Sequence, residues 1–202
     1  LLSLGRENDS RFAKLIPMAA EAGLIIEQTG YSESQTRDRI EMAIRAIRDR
    51  HPDVQVACEA YSYDDVEFLW ELPRKVVNHL TRIGGHSKPV PFIEDYAVPP
   101  EATSEFFAGA QRILQKHELT ASLYSHAASG QVHMRPFMRI PREKDGPKIN
   151  ALVRELNDLA ISLGGTISGE HGDGLSRSAF VRQQYGELYS VFRQIKDIFD
   201  PH

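Results

Sequence analysis

Ala121-Ser122-Leu123-Tyr124-Ser125-His126, the small residues Ala127 to Gln131, and Val132-His133-Met134-Arg135 form the stretch on which the fold turns. Its outer parts alternate with the period of two that a half-buried strand requires. The segment between them reads as a turn, so the whole predicts a β-hairpin. A register that sets residue 126 against 133 places the imidazoles of His126 and His133 on one face with Cβ atoms about 5 Å apart, and Tyr124 then faces Arg135. Two ligands of one metal ion need a separation of that order. The same spacing also suits two polar residues on a solvated hairpin.

Working outward toward the C-terminus, Ile149, Leu152, Val153, Leu156, Leu159, Ala160 and Leu163 recur at helical spacing after Pro147. Gly164-Gly165 closes that helix with the residue type a left-handed cap wants. A last helical stretch covers about residues 177–199, with a break near Gly186. Toward the N-terminus, a helix over about 101–116 turns Phe106, Phe107, Ala110, Ile113 and Leu114 inward, and residues 92–98 are a strand candidate. Residues 64–83 read as two helical pieces parted near Pro73, the second ended by Gly84-Gly85. Earlier still, Leu24-Ile25-Ile26-Glu27 and Val54-Gln55-Val56-Ala57 read as strands. Between them lies a helix that starts at a Ser32-x-x-Gln35 capping box, carries Ile40, Ala43, Ile44 and Ile47, and stops at Pro52. This order predicts an α+β fold: ferredoxin-like split β-α-β units around a mainly antiparallel sheet covered by helices, rather than a doubly wound parallel sheet.

The 202 residues allow one large domain or two small ones. With 26% charged and 41% hydrophobic residues and a net charge of −4, the composition is that of an ordinary globular protein. It argues against disorder, a collagen-like chain or a nucleic-acid coat, which would want a basic surplus. Cys58 is the only cysteine, which excludes an intrachain disulfide and a cysteine-built zinc site and suits a reducing compartment. No apolar run approaches the ~18–20 residues of a membrane helix, and no basic-then-apolar leader opens the sequence. A soluble, cytoplasmic protein is expected, with membrane association at most peripheral. The sequence starts at Leu1-Leu2-Ser3 without methionine and stops at Asp200-Pro201-His202, so a piece of a longer protein is expected.

Gly164-Gly165-Thr166-Ile167-Ser168-Gly169-Glu170-His171-Gly172-Asp173-Gly174 is the second candidate site. Its glycines let the backbone approach another group closely, although glycine-rich connections also simply turn corners. It lacks the Gly-Lys-Ser/Thr of a phosphate loop and the pattern of a dinucleotide fingerprint. His126, His133 and Glu170 together would make a metal site with room for a further ligand, of formal charge +1 with a divalent ion. Such a site invites an anionic oxygen, and Arg74, Lys88 and Arg135 are available to pair with a carboxylate.

Residues 124–133 resemble the Gly-His-x-Gly-Asp-Gly-Asn-x-His motif of FAD-linked oxidases and dehydrogenases of 2-hydroxy acids. Gly164-Gly165-x-x-Ser168-Gly169-Glu170-His171-Gly172-x-Gly174 matches their other hallmark almost letter for letter. Leu69-Trp70-Glu71-Leu72-Pro73-Arg74 is similar to the Trp-x-x-x-Arg helix of that group, and Glu94-Asp95-Tyr96-Ala97-Val98-Pro99 to its Glu-Asp-Val-Ala-Val-Pro strand. The part resembled is the C-terminal, substrate-capping domain, and it covers nearly the whole of residues 1–202.

The resemblance implies FAD, bound mainly by a separate N-terminal domain, and a divalent metal (zinc, manganese or iron) on His126, His133 and Glu170. It implies His171 as general base, and Arg74 and Lys88 on the carboxylate of a small 2-hydroxy acid. Gln131 stands where the group has a substrate-contacting Asn, while Ser125 and Ala128-Ser129 replace Gly and Gly-Asp. The Arg135-Pro136-Phe137 continuation is closer to large members that carry an iron–sulfur module. Two other readings of the residues are a self-sufficient metal hydrolase on the same His/His/Glu set and a metal-free interaction module.

Overall fold

The computed structural model of the chain describes residues 10–17, 19–82, 85–139 and 145–201. Leu1-Leu2-Ser3, the expected helix stop at Gly84 and the side chain of Val77 lie outside the described residues. The chain divides into two compact units, Leu1–Arg82 and Ile83–His202.

The first unit holds α1 (Ser10–Leu15), α2 (Glu33–Arg50) and α3 (Tyr63–Arg82). Ser32 caps α2, its hydroxyl accepting the Gln35 N–H at 3.2 Å while the Gln35 side chain accepts the Tyr31 N–H at 2.8 Å. Ile40, Ala43, Ile44 and Ile47 share a face as expected, but each is only half-buried. Phe12 is buried against Phe68 with ring centroids 4.8 Å apart, and the Trp70 indole N–H donates to Glu27 at 3.1 Å.

Two expectations for this unit are corrected. Residues 24–27 and 54–57 are not strands: neither run pairs with a strand among the described residues, and Leu24, Ile25, Ile26 and Val54 are exposed. A short β-rich run closes no ladder by itself, because its backbone groups bond to water as readily until a neighbouring strand is supplied. The break at Pro73 is also absent, α3 running unbroken through it. Proline removes one helical hydrogen bond and crowds the preceding turn, a cost that packing of the turns on either side can absorb.

The second unit contains β1 (Lys88–Pro89), β2 (Tyr96–Ala97), α4 (Thr103–Lys116), β3 (Ala121–His126), β4 (Gln131–Met138), α5 (Gly146–Ser162), α6 (Gly174–Ser178), α7 (Val181–Tyr185) and α8 (Tyr189–Phe199). All pairing is antiparallel and β4 is its hub: β3 lies along it, β2 meets its start and β1 its end. Thr166 bridges Ala97 and extends the sheet beyond β2. The expected strand over 92–98 shortens to Tyr96–Ala97, because Asp95 sits at φ 79°, outside the extended region. The expected last helix begins earlier, at Gly174, and is divided around Ala179–Phe180 and again at Gly186, which has φ 55°.

The hairpin forms, in a different register. Tyr124 faces His133, Ser122 faces Arg135 and His126 faces Gln131, a shift of two from the expected pairing of 126 with 133 and 124 with 135. The cause is a tight turn over 127–130, closed by the Ser129 N–H on the His126 carbonyl at 3.0 Å and made possible by Gly130 at φ 71°. A Cβ on Gly130 would lie 1.8 Å from the Val98 carbonyl oxygen. Because the slip is even, every side chain keeps its face.

One face of β4 presents Val132 and Met134, both fully buried among Phe106, Ala110 and Leu114 of α4 and Leu152, Val153, Leu156 and Ala160 of α5. Gly109 lets the two helices close, since a Cβ there would come within 2.7 Å of Leu159. The Tyr96 hydroxyl donates to Asn157 at 2.8 Å inside this core, and burial pushes its ionisation upward. Gln131, His133 and Arg135, at the alternate positions, lie on the face away from the helices.

Candidate metal centre

The open face of the hairpin gathers the aromatic and basic groups. The His126 and His133 rings stand edge-to-face with centroids 5.5 Å apart, and Tyr124 packs against both, at 5.1 Å from His126 and 5.9 Å from His133. Two departures from the family motif hold the turn together. The Ser125 hydroxyl donates to the Gln131 carbonyl at 2.7 Å, and that of Ser129 to the His126 carbonyl at 3.1 Å.

The glycine-rich loop runs beside β2. Thr166 and Ala97 exchange backbone hydrogen bonds, and the Gly169 N–H donates to the Asp95 carbonyl at 2.8 Å. The loop then delivers Glu170 and His171 to the hairpin face: Glu170 Oε1 lies 3.3 Å from His133 Nε2 and 3.3 Å from His171 Nε2. The His133 and His171 rings are stacked at 5.3 Å. Ligand atoms of Asp95, His133, Glu170 and His171 all fall within 4.8 Å of one another. His126 adjoins His133 on the outer side of this group.

Two donors of a tetrahedral ion at about 2.1 Å lie about 3.4 Å apart, so the His133–Glu170 separation suits a shared cation. Imidazole binds metal in its neutral form. Burial is the largest influence on His133 and holds it below the usual histidine range; His171 and His126 act in the same sense and Glu170 opposes them. The donor set and its spacing therefore fit a divalent ion.

Three residues without a role in the sequence reading complete the site. Glu94 accepts the Arg135 Nε–H at 2.7 Å and stands 4.0 Å from His171 Nδ1. Asp95 is fully buried, and Arg177 donates to the Glu94 carbonyl at 2.6 Å and the Gly172 carbonyl at 2.8 Å. Burial alone would raise the Asp95 carboxyl, but the amides of His171 and Glu170 and the side chains of Gln131 and Ser168 outweigh it and hold the group below the usual aspartate value. Two adjacent acids, Glu94 and Asp95, set between Ile93 and Tyr96 are the signal that the sequence carries.

Arg135 shares the histidine face, whereas Gln131 is buried with its amide donating to Asp95 at 2.7 Å. Lys88 pairs across from Met138, at the end of β4 away from His133. Arg74 belongs to the first unit, in α3, and donates to Glu67 at 2.9 Å.

Comparison with known proteins gives the class to which this hairpin, loop and pair of helices belong. Residues 4–202 match the family described as FAD linked oxidases, C-terminal domain, and the chain belongs to that family. It is 36% identical over 138 residues to a D-2-hydroxyglutarate dehydrogenase of Pseudomonas putida, covering 66% of this chain and 13% of that protein. Glycolate oxidase subunit GlcD of Bacillus subtilis is 29% identical over 192 residues, 94% of this chain and 39% of its own length. A D-lactate dehydrogenase of Archaeoglobus fulgidus is 33% identical over 117 residues, 58% of this chain and 26% of that protein. No helix among the described residues is long and apolar enough to cross a membrane.

Proposed function

We propose that residues 1–202 are the substrate- and metal-binding cap of a flavin-dependent dehydrogenase or oxidase that converts a D-2-hydroxy acid, such as lactate, glycolate or 2-hydroxyglutarate, to the 2-oxo acid. The observation that carries this is the convergence of His133, Glu170 and His171 beside His126 in a chain of this family. His126, His133 and Glu170 would hold a divalent ion, zinc, manganese or iron, which supplies a Lewis acid for the substrate hydroxyl. FAD, held mainly by a separate flavin-binding domain, supplies the hydride acceptor. With Nδ1 turned to Glu94, His171 takes the hydroxyl proton at Nε2. Arg135, on the histidine face, supplies positive charge for the substrate carboxylate; for Arg74 and Lys88 that role rests on the resemblance alone.

The modest share of each relative that the chain spans supports a larger polypeptide around this cap. The Arg135-Pro136-Phe137 continuation supports an iron–sulfur module or a similar electron acceptor as partner. The single exposed thiol of Cys58 supports a cytoplasmic setting. The lateral order β3, β4, β2 and the Thr166 segment, with α4 and α5 as crossovers, supports a ferredoxin-like split β-α-β unit over residues 96–166.

Titration of the chain with Zn2+ tests the site. One ion should bind, His126→Ala, His133→Ala and Glu170→Ala should each weaken it, and His171→Ala should not; loss in His171→Ala equal to that in His126→Ala would overturn the division of roles. In the flavin-containing enzyme at saturating metal, His171→Asn should slow flavin reduction about 10²–10⁴-fold with little change in substrate affinity. A rate within a few-fold of wild type would leave the proposal without its base.

A further inference from the structure

Asp95 lies beneath the site with every acceptor position taken. Its Oδ1 accepts the Glu170 N–H at 2.9 Å and the Gln131 amide at 2.7 Å. Its Oδ2 accepts the His171 N–H at 2.9 Å and the Ser168 hydroxyl at 3.1 Å. A carboxylate offers about four lone-pair sites, and these four donors fill them, so Asp95 has no capacity left for a metal although its oxygens belong to the cluster. The loop comes this close because residue 169 has no side chain: a Cβ there would lie 3.1 Å from Gln131 Nε2, 3.2 Å from Asp95 Oδ1 and 3.2 Å from the Ala97 Cβ.

We propose that Asp95 is the positioning residue of the centre, its two oxygens gripping the consecutive amides of Glu170 and His171 so that both side chains turn to His133. This rests on His126, His133 and Glu170 being the metal ligands. Neighbouring side chains of an extended segment point to opposite faces. Glu170 and His171 nevertheless meet, with Oε1 and Nε2 3.3 Å apart, because the backbone between them is wrapped on a single carboxylate. Arg177 grips the far side of the same loop at Gly172.

Asp95→Asn is the informative change. Asparagine keeps the size and tolerates the positive φ, but sets an NH2 donor against one of the two amide donors. Titration of the full chain with Co2+, followed by its visible absorption, should show affinity about 10- to 100-fold weaker and a changed band shape in Asp95→Asn. Hydrogen exchange should show the amides of residues 170 and 171 losing protection while those of Val132 and Leu156 keep theirs. Equal affinity and an unchanged spectrum, whatever the melting temperature does, would overturn the proposal. Should the wild-type chain take up no Co2+, the ligand assignment fails, and unchanged protection at 170 and 171 in Asp95→Asn would separately overturn the positioning role. Should Asp95→Asn fail to fold, Gly169→Ala, which pushes the loop off Asp95, should weaken Co2+ several-fold, and an unaltered affinity would overturn it equally.

Discussion

α5 and α2 carry the same kind of helical apolar spacing, yet α5 buries Leu152, Val153, Leu156 and Ala160 whereas α2 buries no residue. The spacing settles which face of a helix is apolar. What covers that face is a separate matter. α5 packs on α4 and on the Val132–Met134 face of β4, while the runs flanking α2, residues 24–27 and 54–57, build no sheet with any of the described residues. The site belongs to the first situation: its hairpin and loop are held by a packed core behind them.

Core truncation tests that contrast most severely. Leu156→Ala, at a fully buried position, should lower unfolding free energy by about 2–5 kcal/mol, and Ile44→Ala in α2 by less than about 1 kcal/mol, both read from urea denaturation. Equal losses would mean that α2 has a buried partner after all.

Gly130→Ala probes the joint between the hairpin and the core. The new Cβ meets the Val98 carbonyl oxygen at 1.8 Å and takes a φ of 71°, whereas Gly172→Ala has φ 73° and open space. The first should cost about 3 kcal/mol or more and the second about 1 kcal/mol, the strain of the left-handed backbone without the clash. Similar costs would show that the turn can move off Val98.

In the first unit the sign should reverse. Pro73→Ala restores a helical hydrogen bond within α3 and should raise stability by about 1 kcal/mol, followed by the fluorescence of Trp70 on the same helix. A loss would show that the proline ring is packed.

The smallest effect is expected at the surface tie between α4 and α5. Glu155 accepts from Lys116 at 2.9 Å and lies 3.1 Å from His117 Nε2. The Lys116 hydrogen bond is the main cause of its lowered pKa, with His117 aiding and burial opposing. Its contribution is therefore complete above the ordinary glutamate value of about 4.3 and fades as pH falls through the lowered one. Glu155→Gln should cost under about 1 kcal/mol at pH 7, since the pair is solvent-screened, and the gap to wild type should close in acid. A gap that persists at low pH would assign the loss to packing.

Residue types and spacing along the chain were enough to place His126, His133 and Arg135 on one hairpin face, to bound α5 by Pro147 and Gly164, and to single out the Glu170–His171 loop. Each of these follows from neighbours a few positions apart, through the period of two in strands, 3.6 in helices and the freedom of glycine. Tertiary structure alone decided that the hairpin slips by two, because the Gly130 turn closes against Val98, and that residues 24–27 join no strand among the described residues. It alone set Asp95 beneath the amides of residues 170 and 171, 75 and 76 positions along the chain. A buried carboxylate and the backbone it grips are joined by partners that local periodicity does not encode, and only the assembled sheet brings them within hydrogen-bonding reach.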